Sequence, residues 1–229
     1  HLSPLTSHLS PLTSHLSPLT SHLRSMTDRY LEIATSDAVK QLQERWGSRA
    51  TYCRLETGPL TSNQLGPEEI AFIESQDTFF LASINEHDWP YIQHRGGPPG
   101  FLKVLGDRQL GFPDFKGNRQ YLSFGNILGN PRVSLFLIDY PARARLKIFG
   151  TAKLVEGDDV PEELRKIEND PGANTVERGI LIQLEAFHWN CPKYIVPRFT
   201  EAQVRSVIDP LVKRIKDLEA ELARLSTKP

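Results

Sequence analysis

Two cysteines, one methionine and three tryptophans are all that 229 residues hold of these types. The cysteines, Cys53 and Cys191, are too few for a disulfide framework. Neither sits in a Cys/His spacing that would hold zinc, so no metal site is expected and a reducing cytoplasm is the default compartment. No apolar run approaches the ~20 residues that cross a bilayer as a helix. An excess of one charge is missing too: 27 Lys and Arg face 28 Asp and Glu. Bulk electrostatics therefore favour neither nucleic acid nor an acidic membrane as main partner. Apolar residues are not lacking. At 39% of the chain, they suffice for a packed core in one large or two small domains.

Proline is not scarce, and three of the 17 fall at regular spacing at the N-terminal end. Residues 1–21 are three copies of HLSPLTS, and His22-Leu23 begins a fourth. A seven-residue period would suit a coiled coil, but a proline in every copy breaks the i→i−4 ladder. Serine and threonine weaken a helix further, so the segment reads as disordered low complexity. Met26 follows directly and is the expected natural start, with residues 1–25 an upstream or appended extension. The remaining chain divides into a helical segment, 26–76, a β-rich domain, 77–199, and a C-terminal helix, 200–229.

In the first of these, Val39, Leu42 and Trp46 recur at helical spacing behind Ser36 or Asp37 as N-cap, and Gly47 ends the helix. A second helix opens at Pro67, with Glu68 and Glu69 at its positive end and Ile70 and Ile73 facing inward. Strands follow over 78–85 and 89–94, then a hairpin of 102–105 and 109–112. A helix over 121–128 comes next, with further strands over 132–140, 144–155 and 179–189. Gly150 marks a bulge, and Pro161 opens a short helix over 160–168. Short strands joined by hairpins predict a mainly β fold with peripheral helices, a closed or split antiparallel barrel rather than a βαβ sheet.

Thr200 and Gln203 have capping-box spacing. Beyond them Val204, Ile208, Leu211, Ile215, Leu218, Leu222 and Leu225 alternate in steps of four and three, an a/d seam. Arg214 falls at g and Glu219 at the following e. Pro210 should kink or split the helix. Two readings stand: a dimeric coiled coil, or a helix laid across its own barrel.

The richest stretch is Gln93–Pro131, QHRGGPPGFLKVLGDRQLGFPDFKGNRQYLSFGNILGNP. A hairpin leads into the basic and amide cluster Lys116-Gly117-Asn118-Arg119-Gln120, and that cluster runs into a helix. Amides at a helix N-terminus are unpaired and carry partial positive charge, and Arg and Lys add full charges. The pattern is that of an anion-binding element, with a solvated basic turn on a barrel rim as the alternative.

Taken together, HRGGPPGF, GNRQY, NPRV and NCPKYI resemble the pyridoxamine 5′-phosphate oxidase-like, FMN-binding split-barrel family, over Met26 to about Leu225. The resemblance implies an FMN-binding split β-barrel and a homodimer with the flavin at the subunit interface. By resemblance, Lys103, Lys116, Asn118, Arg119 and Gln120 hold the flavin phosphate. Arg95 and Gly96, with His94 beside them, lie on the strand facing the flavin edge. Phe112, Pro113 and Asp114 border the ring or ribityl chain, and Trp189, Asn190 and Cys191 approach the ring from the partner subunit. The oxidase itself carries a C-terminal Arg and His pair for the substrate phosphate, and this chain has the heptad helix instead. The activity implied is therefore FMN-dependent oxidoreduction of another small molecule, with NAD(P)H as a candidate electron donor. FAD, a deazaflavin or haem are the alternative occupants. A non-catalytic flavin-binding or redox-sensing module, using the C-terminal helix to bind a partner, is the alternative function. Flavin supplies its own hydride and electron chemistry, so no catalytic triad is sought.

Overall fold

The computed structural model describes residues 27–56, 60–115, 119–167, 176, 178–189 and 192–226. The HLSPLTS repeats and Met26 lie outside them. The chain divides into two compact units, residues 1–61 and 62–229.

In the first unit, β1 (Thr27–Asp28) pairs in parallel with β2 (Leu60–Thr61). Between them lie α1 (Arg29–Ala34), α2 (Asp37–Arg45) and α3 (Arg49–Cys53). The Asp28 carboxylate accepts from the Tyr30 and Leu31 amides at the start of α1. Ser36, not Asp37, caps α2 by accepting from the Val39 amide at 3.3 Å. Gly47 leaves that helix at φ +76°, a left-handed value that suits glycine at a helix end.

The second unit begins with α4 (Pro67–Ser75), then β3 (Thr78–Ile84), β4 (Pro90–Gly96), β5 (Lys103–Gly106) and β6 (Gln109–Pro113). It continues through α5 (Leu122–Gly129), β7 (Arg132–Asp139), β8 (Ala144–Glu156), α6 (Glu162–Arg165), β9 (Arg178–Trp189) and α7 (Glu201–Ser226). The unit boundary falls after Thr61 rather than after residue 76. The reason is that α4 brings Ile73 into the barrel core, where it is fully buried. The helix expected over 160–168 is shorter: a 3-10 turn, Gly157–Asp159, precedes the four-residue α6.

Seven antiparallel strands form one sheet in the order β4-β3-β7-β8-β9-β6-β5, a split β-barrel. Alternation sets its inside. In β3, Phe79, Leu81 and Ser83 point inward while their neighbours do not. In β8 the register shifts between Phe149 and Gly150, the predicted bulge. A Cβ on Gly150 would stand 2.6 Å from Ile182 Cγ2, so only glycine lets β9 approach this closely. β3 and β6 are far apart in strand order, yet Phe79 meets Phe112 edge-on at 5.1 Å and stacks on Phe101 at 5.4 Å. The rolled sheet is thus closed across its interior by side chains. Each such ring contributes about 1.5–3 kcal/mol of burial. α5 covers the barrel with Phe124 and Ile127, and its Asn126 donates to the buried Ser83 hydroxyl at 2.9 Å.

The Thr200–Gln203 capping box forms: the Thr200 amide donates to Gln203 Oε1 and the Gln203 amide to Thr200 Oγ1. From there α7 runs to Ser226 as one helix with Pro210 inside it, so it is not split. It does not lie across the barrel either: every residue of α7 is exposed.

Candidate functional site

The antiparallel pairing of β6 with β9 sets Pro113 against Gly179, and the Asp114 amide donates to the Arg178 carbonyl at 3.0 Å. This register delivers the Arg178 side chain to Asp114, with Nε 3.5 Å from Oδ2. Arg95, on edge strand β4, reaches the other carboxylate oxygen, with Nη1 3.7 Å from Oδ1. β4 and β6 share no backbone pairing, so this ion cluster spans the split in the barrel. Among the described residues, two guanidiniums share this one carboxylate. Asp114 is 10% exposed and Arg95 20%. Burial lifts the Asp114 carboxyl above its usual value, outweighing the opposing pull of Arg95 and Arg178. Burial likewise lowers Arg95, with Asp114 and Tyr91 pulling the other way. Among the described residues, the Nε atoms of Arg95 and Arg178 are buried without a hydrogen-bond partner.

The chain then leads from this cluster to α5. Arg119 and Tyr121 both adopt left-handed backbone, at φ +59° and +52°, which is rare for bulky residues. The N-cap residue of α5, Tyr121, makes no side-chain capping bond, and no acidic residue lies in the helix's first turn. The Arg178 guanidinium stands 5.4 Å above the Tyr121 ring, and Tyr121 meets Phe124 edge-on. A guanidinium pair, a left-handed turn and a helix start whose N-cap residue makes no capping bond therefore lie in one region. Such a set of donors accepts an anion.

The expected site residues divide accordingly. Arg95, Asp114 and Arg119 belong to this end of the barrel. Phe112 is a core residue, 1% exposed, with Arg95 above its ring at 5.7 Å, and Pro113 is buried beside it. Lys103 opens β5 opposite Gly111. Gln120 is exposed beside Arg119, and Gly96 ends β4. In the HRGGPPGF motif, a Cβ on Gly97 would stand 2.6 Å from Phe101 Cγ, which explains the second glycine. His94 faces away from Arg95, as strand alternation requires. It hydrogen-bonds Thr78 Oγ1 through Nε2 at 2.5 Å and packs edge-on against Phe80. Trp189 ends β9 at the far end from Arg178, roughly 35 Å along the strand. Its Nε1–H donates to Glu69 Oε1 at 2.7 Å, and its ring meets Phe72. Within one chain it does not join the arginine cluster. Lys116, Asn118, Asn190 and Cys191 lie outside the described residues.

Arg178 and Tyr121 are new to the site. Arg178 precedes a long apolar strand and reads in sequence as a solvated strand end. Only the pairing of β9 with β6 marks it out.

The family model for pyridoxamine 5′-phosphate oxidase matches residues 65–188, more than half of the chain. The chain belongs to the pyridoxamine 5′-phosphate oxidase family. The match spans α4 through nearly all of β9 and includes the whole arginine cluster. Among solved structures, a pyridoxamine 5′-phosphate oxidase-like protein of Lactobacillus delbrueckii is 19% identical, with a TM-score of 0.45 over 56% of this chain and 96% of that one. One of Listeria innocua is 24% identical, with a TM-score of 0.38 over 54% of this chain and 95% of that one. An F420 reductase is 20% identical, with a TM-score of 0.37 over 52% and 94%. No curated protein matches the chain.

Proposed function

We propose that this chain is an FMN-binding flavoprotein that acts as an oxidoreductase on a small molecule other than pyridoxamine 5′-phosphate. The observation that carries the reading is the grouping of Arg95, Arg178 and the left-handed Arg119–Tyr121 turn near the start of α5. What supports a flavin phosphate is the pair of guanidiniums around one carboxylate and the left-handed turn that leads into the start of α5. Arg119 would hold the phosphate with Lys116 and Asn118 of the same loop, and Arg178 would orient it from β9. Asp114 keeps both guanidiniums in place. When bound, FMN supplies hydride and electron chemistry, and the chain's own residues bind it, orient it and shield it from water. NAD(P)H is the proposed donor.

We further infer a homodimer in which each flavin lies between subunits. In that arrangement Trp189, at the other end of β9 from Arg178, would approach the flavin held by the second copy. In the test, the purified full chain is yellow and carries flavin near one per chain by absorbance. A colourless protein that takes up no added FMN overturns the reading. A haem or deazaflavin spectrum would replace the ligand while keeping the anion site. The exposed α7 favours a second reading, a flavin-binding module that docks a partner without turnover. Rapid reduction of the bound flavin by NAD(P)H excludes it.

A further inference from the structure

α7 is 26 residues long, about 39 Å at 1.5 Å per residue, and nothing among the described residues of its own chain covers it. Its seam is apolar and open: Ile208 is 47% exposed, Leu211 59%, Ile215 55% and Leu222 63%. A stripe of this length left in water is unusual for a monomer. The order of residue types along it is specific. Ile208 and Ile215 occupy a positions, with Leu222 at the last one, and Leu211, Leu218 and Leu225 occupy d positions behind Val204; Ile at a with Leu at d favours two parallel strands. Pro210 falls at c, on the face away from the seam, where the ring does not obstruct a second helix. The flanks agree. In a parallel, in-register pair, g of one helix meets the next e of the other, which sets Arg214 against Glu219 and Val207 against Val212. An antiparallel pair with the same core layers sets Arg214 near the partner's Arg214 and Val207 near the partner's Glu221, repelling in one place and burying a charge in the other.

We propose that α7 is a dimerisation helix whose partner is α7 of a second copy of this chain, in a parallel two-stranded coiled coil. The pairing buries the seam left open in the single chain. Its geometry depends on α7 alone and not on flavin, so the two proposals stand or fall separately.

The test is disulfide trapping in the full chain with Cys53 and Cys191 replaced by serine. Leu225→Cys lies at a d position near the end of the seam, and Ala220→Cys lies at f on the outer face. Under mild oxidation the Leu225→Cys chain runs as a covalent dimer, and the Ala220→Cys chain stays monomeric on a non-reducing gel. Adding Ile215→Asp to the Leu225→Cys chain abolishes the cross-link, while a cooperative urea transition followed by tryptophan fluorescence reports whether the barrel remains folded. Absence of the Leu225→Cys cross-link overturns the parallel pair: antiparallel helices, α7 on its own barrel and α7 on another protein all keep these sulfurs apart. Equal cross-linking at both positions, or a cross-link that survives Ile215→Asp in folded protein, overturns it as well.

Discussion

Asp114 holds two guanidiniums in a largely buried setting, and this makes its protonation a stability variable. Its folded pKa is raised by burial. The sign follows: Asp114 contributes its stability below the unfolded value, about 4, and that contribution is lost as pH rises through the folded value. Asp114→Asn, which cannot titrate, removes this slope. Urea midpoints of the wild-type chain should fall relative to those of Asp114→Asn as pH rises just above 4; parallel curves would contradict the assignment. At the same scale, Arg119 and Arg178 part company. Arg119 is exposed, so Arg119→Ala should weaken FMN retention by about one to two decades and leave stability unchanged. Arg178→Ala should lower both, because it also abandons Asp114 and Tyr121. Titration of apo-protein with FMN, followed by denaturation, separates the two. Gly97→Ala forces a methyl against Phe101 and should cost about 1–3 kcal/mol in chemical denaturation. None of these roles depends on residue type alone. His94 and Arg95 are chain neighbours, yet period-two alternation sends one to the Thr78 hydroxyl and the other into the ion cluster.

Among the elements, α4 is tied to the barrel by one carboxylate. Glu69 Oε2 accepts from the Gly66 amide at 2.9 Å, and Oε1 accepts from Trp189. A double-mutant cycle of Glu69→Gln and Trp189→Phe should show coupling of roughly 1.5 kcal/mol, the worth of a hydrogen bond to a charged group. Additive effects would mean that the helix start and the end of β9 are independent. The strands themselves were largely legible. TFFLASI and RVSLFLID alternate or run apolar between turn residues, and Gly150 marks its bulge, because local sterics and burial on one face write a period into the chain. The helix after Pro161 was legible in position and not in length, since α6 spans only Glu162–Arg165. The dual role of Glu69 was half visible: its place in the first turn of α4 is local, but its bond to Trp189 joins residues 120 positions apart.

For the whole molecule, the decisive quantities are long-range. Composition, the strand periods, the heptad seam and the basic Lys116–Gln120 cluster are properties of neighbouring residues. They were enough for a mainly β barrel and a helical C-terminus, and the motifs HRGGPPGF, GNRQY, NPRV and NCPKYI carried the likeness to the pyridoxamine 5′-phosphate oxidase family. Spacing could not say which cations converge. The order β4-β3-β7-β8-β9-β6-β5 does, because it rolls the edge strand carrying Arg95 round to the β6–β9 pair carrying Asp114 and Arg178. It could not say whether α7 lies on its own barrel, since an apolar stripe records that a surface is to be covered and not by what. Tertiary structure answered that by leaving the stripe in solvent. Local interactions act between residues a few positions apart and are written in the chain. Contacts that close a barrel join residues tens of positions apart, and only the folded path of the backbone decides them.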